Sequence, residues 1–123
     1  MINPVYMCSK HISGEHGELH KFLHNFEKRH NMRKRLEEKQ IFPQLMKERH
    51  DLLARFLNHK SPYVQPDISY LPDGGVVPVT PGIIMFNIID LATRCADCRR
   101  IMLEKGLIDL RNGKVFINTG LNK

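Results

Sequence analysis

The stretch from Lys10 to Arg29 reads KHISGEHGELHKFLHNFEKR, and its pattern decides the fold class. Ile12, Leu19, Phe22, Leu23 and Phe26 recur at the i, i+3, i+4, i+7 spacing that draws one apolar stripe along a helix. Ser9 is suited to cap its start. Gly14 and Gly17 fall in the first turns, where each costs roughly 1 kcal/mol against alanine. That cost leads us to expect a ligand or another backbone close to this part of the helix.

Downstream, the polar and basic segment His30 to Gln40 reads as a short helix or an ordered loop. A second helix is expected from about Phe42, with Pro43 in its first turn. Leu45, Met46, Leu52, Leu53, Phe56 and Leu57 form its expected buried face, and Asn58 to Pro62 end it. Ser61 to Pro81 holds five of the seven prolines and the Asp73-Gly74-Gly75 turn, the composition of an extended surface loop. A third helix starts with Thr80 as cap and Pro81 as first residue and runs to Gly106. Its first half (Ile83, Ile84, Met85, Phe86, Ile88, Ile89, Leu91) is apolar nearly all round, so it is expected to be the central element. Asn112-Gly113 then signals a two-residue hairpin turn. In that register Leu110 faces Val115 and Ile108 faces Ile117 on one side, with Arg111 opposite Lys114 and Asp109 opposite Phe116 on the other. The expected fold is mainly α: one compact domain over residues 1–123, with three main helices, a long Pro-rich loop and a C-terminal β-hairpin at 107–118.

A chain of 123 residues has room for one modest core. Its 41% hydrophobic and 26% charged content is that of a folded protein and not of a disordered one. No apolar run approaches the roughly 18 residues of a membrane span. The opening Met1-Ile2-Asn3-Pro4 lacks the layout of a secretion signal. Three cysteines cannot complete a disulfide framework, which favours a reducing compartment. A cytoplasmic monomer of a phage or microbe is the expectation. The net charge of +6 is localised: Lys21 to Lys60 holds 11 Lys or Arg against 5 Asp or Glu, and the other residues hold 8 of each sign. Three readings of that excess stand: a face that meets a nucleic-acid polyanion, a solvated helical surface, and a contact for acidic lipid or protein partners.

The first helix also carries His11, Glu15 and Glu18 at i, i+4 and i+7, within about 60° of each other at 100° per residue. Glu15 falls inside the apolar stripe and Glu18 at its edge. A carboxylate there is costly unless paired or protonated; alternatively, both simply favour the positive helix N-terminus. The run His11-Ile12-Ser13-Gly14-Glu15-His16-Gly17-Glu18-Leu19 resembles the His-x-x-x-Glu-x-x-Glu-Leu signature of the pyrimidine-dimer DNA glycosylases, the phage endonuclease V type. Three further segments resemble that family in the same order: Asn3-Pro4 through Cys8-Ser9-Lys10-His11, Arg49-His50-Asp51-Leu52 through Asn58-His59-Lys60-Ser61-Pro62, and Arg94-Cys95-Ala96-Asp97-Cys98-Arg99. The likeness covers roughly residues 2 to 103 and leaves out the hairpin.

The resemblance implies a helical DNA-repair enzyme with glycosylase and abasic-site lyase activities on pyrimidine dimers in duplex DNA, needing no cofactor for its chemistry. In that family the chain's terminal α-amine attacks C1′ of the damaged nucleotide, and a glutamate of the first helix assists β-elimination. Such an amine has an unperturbed pKa near 7.7–8.0, so a useful fraction is nucleophilic at neutral pH. Carried over, Glu18 is the catalytic carboxylate, the amine is that of Met1, which the bulky Ile2 keeps in place, and His11 and Glu15 orient Glu18. The rival expectation is a binding module of the same fold that holds DNA without cutting it.

Lys10, Lys21, Lys28, Arg29, Arg33, Lys34 and Arg35 are candidates to track a phosphate backbone, with His11 and His16 beside them. Arg94, Arg99 and Arg100 are expected to close the groove from the third helix. Phosphate contacts of this kind carry affinity but no sequence readout, and damage selectivity would come from the ease of kinking and flipping at a lesion. Cys8, His11, Cys95 and Cys98 have the pairwise spacing of a Cys3His zinc site. The competing reading makes the cysteines small buried hydrophobes; a redox pair lacks its usual βαβ setting. His16, His20 and His24 follow i, i+4 spacing and read as polar surface in preference to metal ligands.

Overall fold

A computed structural model describes residues 1–118, which form two compact units. One unit holds residues 10–78 and the other holds Met1–Ser9 with the chain from Val79 onward. Among the described residues the chain is mainly helical with one antiparallel hairpin, as its periodicity and turn residues predict.

The 10–78 unit is built on α1 (Ser9–Glu27), the short α2 (Arg33–Glu37) and α3 (Met46–Leu57). The apolar stripe of α1 is buried at Ile12, Leu19, Phe22 and Phe26. Both long helices end by turning a residue left-handed. Arg29 (φ 53°) does this after α1, with the His30 amide donating to the Asn25 carbonyl at 2.9 Å, and Asn58 (φ 55°) after α3, with the His59 amide donating to Ala54 at 2.9 Å. These bonds satisfy carbonyls that the last helical turn leaves open. A 3-10 turn at Pro43–Leu45 leads into α3, because Pro43 lacks an amide proton and starts a helix more readily than it continues one.

The buried face of α3 differs from its expected one. Met46, Arg49, His50, Leu53 and Ala54 are inside, while Phe56 is 46% exposed. The inward turn of Arg49 and His50 is stabilised by polar partners on α1, so the helix follows those partners and not its apolar count alone. The Pro-rich segment is an irregular surface loop, held by side-chain bonds to backbone. Tyr63 donates to the Leu19 carbonyl at 2.7 Å and Tyr70 to that of Phe26 at 3.2 Å. Gln44 both donates to the Val77 carbonyl at 2.6 Å and accepts from its amide at 3.2 Å.

In the other unit the expected third helix is two helices, α4 (Pro81–Arg94) and α5 (Ala96–Glu104). Thr80 caps α4, its hydroxyl accepting from the Ile83 amide at 3.2 Å. Cys95 breaks the run with extended backbone (φ −121°, ψ 111°), and its sulfur accepts from the Cys98 amide as the cap of α5. A thiol that caps has no propensity signal, which is why periodicity runs straight through it. Ile88, Leu91, Ala92, Cys98, Met102, Leu107 and Ile108 form the core with Ile2, Pro4, Met7 and Cys8. The first half of α4 is not enclosed all round: Phe86 is 68% exposed and Met85 45%. The hairpin pairs β1 (Ile108–Arg111) with β2 (Lys114–Ile117) in the expected register, Ile108 opposite Ile117 and Leu110 opposite Val115. Asn112 and Gly113 both take positive φ, as the turn requires.

Candidate functional site

The outer side of α1 is an open stripe. Lys10, Gly14, Gly17, Lys21 and Lys28 fall in a sector of about 60° at 100° per residue, and all are exposed, with Glu18 exposed at the edge. A Cβ built on Gly14 or Gly17 would meet nothing within 4 Å. The expected second backbone beside these glycines is therefore absent among the described residues. What they do is lower the relief of the helix between flanking lysines, leaving room for something large.

The two motif carboxylates have separate fates. Arg49 donates to Glu15 from both Nε and Nη2, the latter at 2.9 Å from Oε1. The Arg49 side chain is 7% exposed and that of Glu15 32%, so this is a largely enclosed, two-pronged ion pair. It answers the cost of a carboxylate inside the apolar stripe. Glu18 makes no hydrogen bond or ion pair among the described residues. One acid serves the fold and the other is left for solvent or a ligand.

Below the stripe, α1 and α3 bring three imidazoles together. Ring centroids lie 4.9 Å apart for His16–His20, 4.6 Å for His16–His50 and 4.8 Å for His20–His50. His20 Nε2 is 3.1 Å from His50 Nε2 and 3.2 Å from the Ser61 hydroxyl. His50 is fully buried, stacked on Tyr63 at 4.3 Å, with Nδ1 3.0 Å from the Asp51 carboxylate. Burial, then the neighbouring His50, His20 and His59 rings, holds His16 below the ordinary histidine range; burial and His50 do the same for His20. His16 and His20 are thus not the plain polar surface expected of them. His24 is exposed and lies against His30.

In the unit that holds α4 and α5, Cys8, Cys95 and Cys98 converge. Their sulfurs lie within 4.8 Å of one another, a grouping able to hold a metal ion. The Cys8 amide donates to Cys98 Sγ at 3.2 Å and the Cys98 amide to Cys95 Sγ at 3.4 Å, while Cys8 and Cys95 sulfurs are 3.9 Å apart. The bond from the Cys98 amide, the largest influence on it, holds the Cys95 thiol below its ordinary value. Burial pushes Cys98 up to about 12. Amides aimed at sulfur favour the charged thiolate that a metal takes. All three cysteines are free of disulfides. His11, the fourth residue of the expected set, follows Cys8 by three positions and stands half-buried in the first turns of α1.

The candidate phosphate contacts divide into engaged and available groups. Arg33 pairs with Glu37 at 2.8 Å, Arg94 with Asp90 at 2.9 Å and Arg100 with Glu104 at 3.4 Å, all i, i+4 surface pairs of small worth. Arg99 donates to the Ala92 carbonyl at 3.1 Å, and Arg29 lies 4.3 Å over the Tyr70 ring. Lys10, Lys21 and Lys28 have no ion pair among the described residues.

No family model matches the chain, and no curated protein or solved structure matches it either. The likeness to the glycosylases therefore rests on the motif residues themselves. Sequence spacing missed the role of Arg49 and the histidine cluster, because both join α1 to residues more than 29 positions away (His20 to His50 is a separation of 30). The one available signal was an unpaired Glu15 inside an apolar stripe, which demanded a cation from elsewhere.

Proposed function

We propose that this chain is a DNA-repair glycosylase with coupled abasic-site lyase activity on pyrimidine dimers in duplex DNA. One observation carries the reading: Glu15 is committed to Arg49 while Glu18 stands uncommitted on an open, lysine-edged stripe. A polyanion laid along that stripe meets Lys10, Lys21 and Lys28, and its backbone can approach closely over Gly14 and Gly17. In this reading the α-amine of Met1 bonds to the sugar C1′ as the bond from C1′ to the base breaks, and opening of the C1′–O4′ ring bond, with the amine's protons passing to O4′ and solvent, gives an imine. The Glu18 carboxylate then takes a C2′ proton, and the 3′ C–O bond breaks with the phosphate as leaving group.

The cysteine cluster supports a structural role for zinc in the unit that holds α4 and α5. Three thiolates and one imidazole make a closed tetrahedral set, in which no position remains for chemistry. Cys8, Cys95 and Cys98, all in that unit, are three of the ligands in this reading, and the sequence spacing offers His11, three positions after Cys8, as the fourth.

Borohydride trapping tests the activity. Reduction of the imine on abasic or dimer-containing duplex should leave one chain covalently attached to the DNA, through the Met1 peptide on mass analysis. Salt-sensitive binding with neither adduct nor nicking overturns the enzymatic reading and selects the binding module.

A further inference from the structure

We propose that His16, His20 and His50 form a second metal site, in the 10–78 unit, for a divalent ion of the zinc type. The three side chains offer ligand nitrogens within 4.8 Å of one another. Zinc–nitrogen bonds of about 2.0–2.1 Å in a tetrahedron set nitrogen–nitrogen edges of about 3.3 Å, and the His20–His50 Nε2 edge is already 3.1 Å. The triangle of rings needs only side-chain adjustment to close on an ion.

Two further features point to a ligand and not merely to stacked rings. His16 Nε2 is shut off from solvent and has no hydrogen-bond partner. A buried polar atom left that way costs about 1–3 kcal/mol, and native proteins rarely leave one without a purpose. A metal ion among the three rings would satisfy it. The other feature is behind His50. Its Nδ1 faces the Asp51 carboxylate at 3.0 Å, and Asp51 is itself held by Lys47 Nζ at 2.7 Å. A carboxylate there fixes the proton on Nδ1 and leaves Nε2 as a lone pair aimed at the cluster, the arrangement that orients metal-bound histidines elsewhere. Imidazole donors suit zinc, cobalt, nickel and copper, and not magnesium or calcium.

Three protein nitrogens leave a fourth position, and Ser61 Oγ lies 3.2 Å from His20 Nε2 beside it. An ion held this way keeps a water or hydroxyl ligand, unlike the closed cysteine set. The two sites are therefore chemically distinguishable.

The test is cobalt titration of the whole chain after chelator treatment. Two classes of bound ion are expected. One shows thiolate-to-cobalt charge-transfer absorption and is lost in Cys95→Ser; the other shows only ligand-field bands and is lost in His20→Gln. Asp51→Asn should weaken the second class roughly 10- to 100-fold, the usual effect of removing a carboxylate behind a metal-bound histidine, while leaving the thiolate class unchanged. Should His20→Gln fail to fold, long-range nitrogen–proton spectra of the unaltered chain replace it, with Nε2 resonances of His16, His20 and His50 shifting together on adding zinc. A second class that survives His20→Gln, absence of a thiolate-free class, or no shift of those three resonances overturns the site.

Discussion

Arg49, on α3, reaches Glu15 on α1 through two nitrogen–oxygen contacts, although 34 residues separate them in the chain. This pair fixes the two helices in azimuth. It also removes one of the two motif acids from consideration as a reactive group.

Replacing Arg49 by Met should strand the Glu15 carboxylate. A charged hydrogen bond of this kind is worth about 1.5–3 kcal/mol, and the upper end for fully buried pairs does not apply because Glu15 keeps 32% of its side-chain surface exposed. Urea unfolding should show that loss for Arg49→Met, and the double variant with Glu15→Gln should recover part of it. Independent, additive losses would mean that the pair does not couple the helices.

Neutralising the stripe lysines should change how binding depends on salt. Each phosphate contact contributes about 0.9 to the slope of log affinity against log salt on B-form DNA. Lys10→Gln, Lys21→Gln and Lys28→Gln should each lower the slope by about that amount, whereas Arg33→Gln should lower it less, since Arg33 is paired with Glu37. Fluorescence anisotropy over a salt series reads this directly.

The helical class, the three main apolar segments and the hairpin register were legible because each follows from a local repeat. Ile12 to Phe26 obey a period of 3.6, and Asn112-Gly113 fixes one pairing. The break at Cys95 was not legible, since its cause is a thiol accepting the Cys98 amide, a bond with no periodic trace. The true inner face of α3 was hidden for a similar reason: Arg49 and His50 are polar by type and are buried because of α1. The Cys8, Cys95 and Cys98 grouping was legible from spacing, and the histidine cluster was not, because i, i+4 histidines look alike whether they face water or another helix.

Metal removal should loosen the unit that carries α4 and α5. With zinc at 100 times its dissociation constant, binding adds about 2.7 kcal/mol to stability. Chelation should therefore lower the melting temperature, and Cys98→Ser should do so without chelator, since Cys98 is fully buried among the core residues. An unaltered melting curve on chelation would leave the cysteines as plain core residues.

The Ser61 to Pro81 loop contains a small acid-sensitive clasp. Asp67 accepts from the Ser69 hydroxyl at 2.7 Å and from its amide at 3.0 Å, and these bonds hold its carboxyl below the ordinary 3.8. A depressed carboxyl stabilises the folded chain at pH values above its unfolded pKa and loses that contribution as pH falls through the folded one. NMR titration should place Asp67 below 3.8, and Ser69→Ala should move its midpoint up. An unmoved midpoint would remove the hydroxyl as the cause.

The proposed chemistry depends most on Glu18 acting as the acid–base group. Glu18→Gln keeps the shape and removes the proton acceptor, so duplex affinity should be unchanged. Single-turnover cleavage of abasic duplex should fall by roughly 10²–10⁴-fold, the usual contribution of a positioned acid–base group. Cleavage by Glu18→Gln at the rate of the unaltered chain, or no cleavage by either, would contradict it.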